Sequence, residues 1–222
     1  MRLPKRPAPE ITIDSVTAAN PVVIEGRART FENNVVIRVR DASGTVIRET
    51  FTTATGDMGQ RNPYRAEVFV TRDPGRSITV EALEYSARDG SERSLVSKTV
   101  PYEVEMIEAD LFVHDPQRAP TDCSRVFPLK QRMPKSISMA RLLVEALIDH
   151  PRGAFPKGSA VRGVVLRDGV LTVDFSERLQ IVGGACAAQA IRASVEATMR
   201  ALPAVQRVNI TAGGSERLAL QP

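Results

Sequence analysis

The 222-residue chain contains no tryptophan, and its aromatic residues amount to 5%. Proteins that bind single-stranded nucleic acids stack the bases on aromatic side chains, so we do not expect nucleic acid as a partner. No stretch approaches the roughly 20 consecutive apolar residues of a membrane helix, and Met1 to Glu10 has no apolar core like that of a signal peptide. We therefore expect contact with a membrane only through a tether that is absent from these residues.

Groups that could carry chemistry are equally scarce. The chain has two cysteines, Cys123 and Cys186, and two histidines, His114 and His150. They do not have the short spacing of a metal-ligand motif, and no glycine-rich loop of the phosphate-binding form occurs. We predict no metal and no cofactor. Because no set of nucleophile, base and acid stands out, we also predict that the protein is not an enzyme.

Positive charge is concentrated in one part of the chain. The net charge is +4, and the surplus lies after Ile107, where 15 basic residues face 11 acidic ones. The stretch from Cys123 to Val144, which we call the basic window, contains no acidic residue and five basic ones: Arg125, Lys130, Arg132, Lys135 and Arg141. These five are the candidate contact for an anionic polymer or another partner, although a charge run is more often a solvated face.

The first half of the chain has the pattern of an all-β domain. From Ile11 to Tyr102, apolar and polar residues alternate, and turn sequences recur about every ten residues. Three of these turns are Asp41 to Gly44, Asp73 to Gly75 and Asp89-Gly90. Roughly seven short strands over this length are typical of a two-sheet sandwich. We predict a linker or tether remnant at residues 1–9 and the sandwich at residues 10–107.

The second half, residues 108–222, mixes strands and helices. Ala109 to His114 is predicted as a strand, and four prolines between residues 116 and 134 predict irregular backbone after it. A first helix carries an apolar stripe from Ile137 to Leu147, and a final strand spans Arg207 to Ala212. The order strand, helix, strand, strand, helix, strand predicts an α+β domain with helices packed on one face of a sheet.

A β-hairpin fixes the centre of this second domain. Asp168-Gly169 favours a type I′ turn, which needs positive φ at both central positions. The turn pairs Leu166 with Leu171, Val164 with Val173 and Arg162 with Phe175, and it collects the five apolar residues on one face. We predict that this face is covered by a helix. The stripe of that helix is formed by Ile191, Val195, Met199 and Leu202.

Both halves carry motifs of known families. Ala109 to Gly213 resembles the sporulation and spore germination domain (GerMN), through Val170-Leu-Thr-Val-Asp-Phe-Ser176, Gly184-Ala-Cys186 and Val208-Asn-Ile210. Ile11 to Val104 resembles the immunoglobulin-like domain of bacterial spore germination, mainly through Pro21 to Ala28. The two resemblances imply an immunoglobulin-like sandwich followed by a GerMN-like domain, in an extracytoplasmic, often lipid-tethered envelope protein with no known chemistry.

The two cysteines allow three interpretations. As an isolated pair in a domain that resembles exported ones, Cys123 and Cys186 can form a disulfide. Alternatively, Cys186 can act as a nucleophile at a helix N-terminus, with His114 or His150 as its base. The third possibility is a pair of inert buried thiols. The disulfide is our prediction.

Together these features predict a non-catalytic extracytoplasmic protein of the cell envelope that acts as a binding or assembly module, similar to sporulation-type lipoproteins. Its expected partner is an envelope protein, a cell-wall polymer or another copy of itself. We expect it to be lipid-anchored or secreted, with a leader missing from these residues. The alternatives are a cysteine-dependent cell-wall acyl transferase or hydrolase and an anionic glycan or peptidoglycan-binding module.

Overall fold

The computed structural model of the chain describes residues 10–216 and residue 220. It divides into two compact units, Met1–Glu105 and Met106–Pro222. The division lies two residues before the boundary predicted after residue 107. The tether predicted at residues 1–9 lies outside the described residues.

The described residues of the first unit form seven strands in two antiparallel sheets. The strands are β1 (Ile11–Thr17), β2 (Val22–Ala28), β3 (Asn34–Arg40), β4 (Val46–Thr53), β5 (Asn62–Val68), β6 (Ser77–Tyr85) and β7 (Glu92–Pro101). One sheet has the order β1-β2-β5 and the other β4-β3-β6-β7. The predicted all-β sandwich architecture is confirmed.

Alternation along the strands places one face of each sheet in a shared core. On β3, Val35, Ile37 and Val39 are fully buried, and on β6 the same holds for Ile78 and Val80. These side chains form one cluster with buried residues of β2 and β5. Burial of each such side chain stabilises the fold by about 1.5–3 kcal/mol, so this cluster holds the two sheets together.

Within its described part, the second unit contains five strands and two α-helices. They are β8 (Met106–His114), β9 (Val126–Pro134), α1 (Met139–Asp149), β10 (Val161–Arg167), β11 (Val170–Phe175), α2 (Ala185–Arg200) and β12 (Arg207–Ala212). Strands β8 and β9 form a two-stranded ribbon, and the other three form a sheet of order β10-β11-β12. In this sheet β11 and β12 are parallel, with α2 between them in the chain. The predicted α+β class is confirmed.

Strand β9 is an element that the sequence did not predict. It pairs with β8 from Met106 opposite Pro134 to His114 opposite Val126, so the prediction of irregular backbone is wrong for this segment. Strand β8 is the only strand that pairs with β9 among the described residues. A proline on an edge strand breaks no ladder bond when its nitrogen faces away from the neighbouring strand, and Pro128 is therefore compatible with β9.

The hairpin of β10 and β11 has the predicted register over most of its length. Leu166 lies opposite Leu171 and Val164 opposite Val173, and Asp168 and Gly169 both have positive φ, at 49° and 76°. The predicted pair of Arg162 and Phe175 is wrong. The register shifts between Val161 and Gly163, so Phe175 lies opposite Val161.

The apolar face of this hairpin is less completely buried than predicted. Leu171, Val173 and Phe175 are buried as expected, whereas Leu166 is 44% exposed and Val164 is half-buried. The three buried residues lie on β11, the central strand of the sheet, whereas Leu166 and Val164 lie on β10, an edge strand.

The two helices bury most of the predicted stripes. In α2, Ile191, Val195 and Met199 are fully buried, as predicted. In α1 the buried residues run from Leu142 to Leu147. Ile137, which the predicted stripe included, is 97% exposed because the helix begins two residues later, at Met139.

Candidate functional site

The two cysteines are joined in a disulfide in the second unit. Cys123 lies in the loop between β8 and β9, and Cys186 lies in the first turn of α2, with their Cα atoms 5.2 Å apart. The bond ties the loop to the helix. It also uses both thiols, so the disulfide-bonded chain has no thiolate at Cys186 for the nucleophile of the alternative enzyme hypothesis.

His114 lies beside this disulfide. It is the last residue of β8, and one of its ring nitrogens and both cysteine sulfurs lie within 4.8 Å of one another. Its Nδ1 is 3.0 Å from the carbonyl oxygen of Arg125. Because a carbonyl only accepts hydrogen bonds, Nδ1 carries a proton and Nε2 of the neutral ring keeps its lone pair.

His150, the other candidate base, is not part of this group. It caps the C-terminus of α1, and its Nδ1 accepts a hydrogen bond of 3.1 Å from the backbone N–H of Arg152. Burial lowers the pKa of His150, and the positive charge of Arg152 lowers it further. The structure thus brings His114, and not His150, to the cysteines.

Sequence spacing gave no sign of this three-residue group. His114 and Cys123 are nine residues apart, and Cys186 follows 63 residues later. The register of β8 with β9 sets the position of the loop, and the packing of α2 against β8 sets the position of Cys186. Only this tertiary arrangement brings the three side chains together.

The basic window is partly balanced by acidic residues of β8. Lys130 and Arg132 are exposed on the same face of β9, opposite Asp110 and Glu108 on β8. The Lys130 ammonium lies 3.6 Å from the Glu108 carboxylate, and both side chains are largely exposed. An ion pair of this kind contributes little to stability. The net positive charge on this face of the ribbon is therefore smaller than the basic window alone would give.

The remaining residues of the window are not gathered into one patch. Arg125 lies at the Phe127 ring, with its guanidinium carbon 5.5 Å from the ring centroid, and Lys135 follows β9 as an exposed residue. Arg141 belongs to α1, where its Nη2 donates a hydrogen bond of 3.2 Å to the Val161 carbonyl. Arg141 therefore joins α1 to β10 and is the least suited of the five to bind a partner.

A network of charged residues on the sandwich was not anticipated from the sequence. The Arg38 guanidinium donates to the carboxylates of Glu49, Glu81 and Glu92 over 2.6–2.9 Å, and to the Tyr85 hydroxyl over 2.9 Å. These five residues come from β3, β4, β6 and β7. The hydrogen bond with Glu92 is the largest contribution to raising the pKa of Arg38, and burial acts against it. The network connects all four strands of the larger sheet.

Next to this network lies an exposed aromatic surface. Phe31, Phe51 and Tyr85 are 67%, 72% and 40% exposed. They line an open concavity of about 300 Å³ together with Val36 and Glu84. Exposed apolar side chains that lie together often mark contact surfaces. No pattern in the sequence grouped these residues, because they lie on separate strands and loops.

The fold and these arrangements define a class of protein, a tandem of a β-sandwich and a small α+β domain. The sandwich carries the charged network around Arg38, and the second domain is cross-linked by a disulfide. No helix in the described parts of the chain has the length and apolar character to cross a bilayer.

The comparison with known families identifies both domains. Residues 5–91 match the family described as "Immunoglobulin-like domain of bacterial spore germination". Residues 110–218 match the family described as "Sporulation and spore germination". The chain thus combines, in tandem, regions that match these two families, and neither is an enzyme family.

No curated protein matches the chain. Among solved structures, it is similar to the crystal structure of a "Putative Lipoprotein from Clostridium perfringens", at 18% identity and a TM-score of 0.34. The similarity covers 50% of this chain and 76% of the other one.

Proposed function

We propose that the protein is a non-catalytic, extracytoplasmic component of the cell envelope whose two domains act as binding or assembly modules. The observation that carries this proposal is the tandem of a spore-germination sandwich and a sporulation domain. The disulfide adds support, since such bonds persist mainly in oxidising compartments outside the cytoplasm. Attachment through a lipid anchor is part of the proposal and has the two family matches as its support.

The disulfide also bears on the enzyme alternative. In a cysteine-dependent acyl transferase or hydrolase, the attacking group is a thiolate activated by a base. Here Cys186 has His114 nearby, but its sulfur is bonded to Cys123. A binding role needs no free thiol, whereas catalysis at Cys186 requires the bond to be opened first.

A second candidate function, recognition of an anionic wall polymer or glycan, is favoured by the position of the basic window. Lys130 and Arg132 point to one side of β9, and Arg125 and Lys135 lie at its two ends, all four exposed. Opposite Lys130 and Arg132 stand acidic residues of β8, so binding of a polyanion here should be weak and sensitive to salt.

The experiment uses the full chain produced in an oxidising compartment. Intact mass after alkylation under non-reducing conditions should show no free thiol. Sedimentation velocity at rising protein concentration should reveal self-association, or co-sedimentation with purified cell-wall sacculi should reveal polymer binding. Assays with wall-derived fragments should show no turnover.

Matched variants separate the possible outcomes. Arg132→Glu with Lys135→Glu should weaken sacculus binding, whereas Lys157→Glu with Arg167→Glu, the same charge change at exposed sites outside the window, should not. Equal effects of the two variants would remove the window as the contact. Turnover that is lost in Cys186→Ser would overturn the non-catalytic proposal, and two alkylatable thiols in oxidised, folded protein would remove the disulfide as its support.

A further inference from the structure

The cysteine pair and His114 form a potential ligand set that goes beyond the proposed function. The three side chains come from the end of β8, the following loop and the first turn of α2. Their ligand atoms lie within 4.8 Å of one another. Cys186 is exposed, and Cys123 and His114 are half-buried, so a small reductant or ion has access to the group from solvent.

The chemistry of this set suits one kind of metal. Two thiolates and a neutral imidazole are preferred ligands of Zn²⁺, with bonds of about 2.3 Å to sulfur and about 2.0 Å to nitrogen. A tetrahedral ion with these bonds places its ligand atoms roughly 3.4–3.8 Å apart. The three ligand atoms lie within 4.8 Å of one another, so the histidine must approach the sulfurs and the two sulfurs must separate before the ion is bound.

The histidine makes a hydrogen bond of the kind that metal-binding histidines make. A metal-binding histidine almost always donates its other ring N–H to a carboxylate, a backbone carbonyl or a water molecule. The hydrogen bond from His114 Nδ1 to the Arg125 carbonyl, at 3.0 Å, is such a contact. It leaves Nε2 as the nitrogen that can bind a metal, and the β8–β9 pairing holds the ring in place.

We propose that the reduced form of the Cys123–Cys186 pair binds one Zn²⁺ ion through both sulfurs and His114 Nε2, with water in the fourth position. Opening the disulfide takes two electrons and two protons, and a dithiol reductant of the thioredoxin class supplies them as it is oxidised to its own disulfide. Metal binding then releases the two thiol protons, because the ligands are thiolates. The pair thus has two cross-linked states, one closed by a covalent bond and one by a metal.

Cobalt provides the spectroscopic test, because Co²⁺ reports thiolate ligation and tetrahedral geometry where Zn²⁺ is silent. The full chain is reduced with a phosphine under anaerobic conditions and titrated with Co²⁺. We expect a thiolate-to-cobalt band in the near ultraviolet and the visible bands of a tetrahedral ion, saturating at one equivalent. Zn²⁺ should displace the cobalt. The oxidised protein should show none of these bands.

The two histidines provide a matched pair of variants. His114→Gln should weaken metal binding by about tenfold or more, Cys186→Ser should remove the two-thiolate spectrum, and His150→Gln should leave the affinity unchanged. Zn²⁺ should raise the melting temperature of the reduced wild-type protein more than that of His114→Gln.

Three results would contradict the proposal of a Zn²⁺ site. An unchanged cobalt spectrum of the reduced wild-type chain would overturn the proposal. The same holds if reduction unfolds the second domain and Zn²⁺ does not restore it. Equal affinities of His114→Gln and His150→Gln would show that the thiols bind the metal without His114, and this result would also overturn the proposal.

Discussion

Arg38 and Glu81 form an ion pair on the larger sheet of the sandwich, with Nη1 and Oε2 2.9 Å apart. The side chains are 7% and 12% exposed, so both charges are largely withdrawn from water. Arg40 also binds Glu81, through Nε at 2.8 Å. Each charge therefore depends on the others, which makes the network sensitive to the loss of a single member.

Replacement of Arg38 by alanine should destabilise the first domain by about 3 kcal/mol, because it leaves Glu81 largely buried with one cation fewer. Arg88→Ala is the control, since Arg88 is exposed in the turn after β6. Chemical denaturation monitored by circular dichroism gives the free energy of unfolding for both variants. A similar, small loss for both would contradict the importance assigned to the network.

The same network makes the stability of the first domain dependent on pH. Burial by itself raises the pKa of Glu81, but hydrogen bonds from Arg40 and Arg38 outweigh burial and hold the pKa below its ordinary value of 4.5. A carboxyl group with a depressed pKa stabilises the folded state above the pKa of the unfolded chain. That stabilisation is lost as the pH falls through the folded pKa.

We therefore expect the melting temperature of the first domain to fall as the pH is lowered below about 4.5. Glu81→Gln should be less stable than the wild-type protein at pH 7, and the difference should shrink in acid because the wild-type residue then becomes neutral too. Thermal melts of both proteins between pH 7 and pH 3 test this. A difference that stays constant with pH would show that the charge of Glu81 does not contribute.

Two valines on adjacent strands of the second domain differ in burial. Val173 on β11 is fully buried, whereas Val165 on β10 is 49% exposed. Val173→Asp should destabilise the domain by several kcal/mol, on the order expected for a buried unpaired charge. Val165→Asp should cost much less, since its carboxylate stays in water. Equal effects in denaturant titrations would mean that the hairpin face is assigned the wrong way round.

The features of the second domain that were predicted correctly depend on turn residues and on the local spacing of apolar residues. Asp168-Gly169 defined the hairpin and its register, and helical spacing identified Ile191, Val195 and Met199 as buried. Two errors in this region concern features that no local pattern records: the bulge at Arg162 and the position of β10 at an edge of the sheet. Leu166 is exposed on that edge strand.

The candidate sites were harder to predict because their residues are distant in the chain. The proline content of residues 116–134 concealed β9, and with it the pairing of Lys130 and Arg132 with acidic residues of β8. The Arg38 network draws on four strands, and His114 reaches the cysteines only through the fold. The cysteine pairing was predictable for a simpler reason, since the chain offers a single possible pair.

The basic window contains residues with different roles, and this difference is testable. Arg132 and Lys135 are exposed, whereas Arg141 donates to the Val161 carbonyl at 3.2 Å and lies 3.7 Å from the Glu145 carboxylate, which is buried. Arg141→Glu removes the contact between α1 and β10 and places a second carboxylate one helical turn from Glu145, where like charges repel. We expect it to cost about 2–3 kcal/mol of stability.

Arg132→Glu with Lys135→Glu should leave the melting temperature of the second domain nearly unchanged, and differential scanning calorimetry of the variants compares them directly. A double variant as unstable as Arg141→Glu would mean that Arg132 and Lys135 support the fold, and any loss of polymer binding in it would then reflect unfolding.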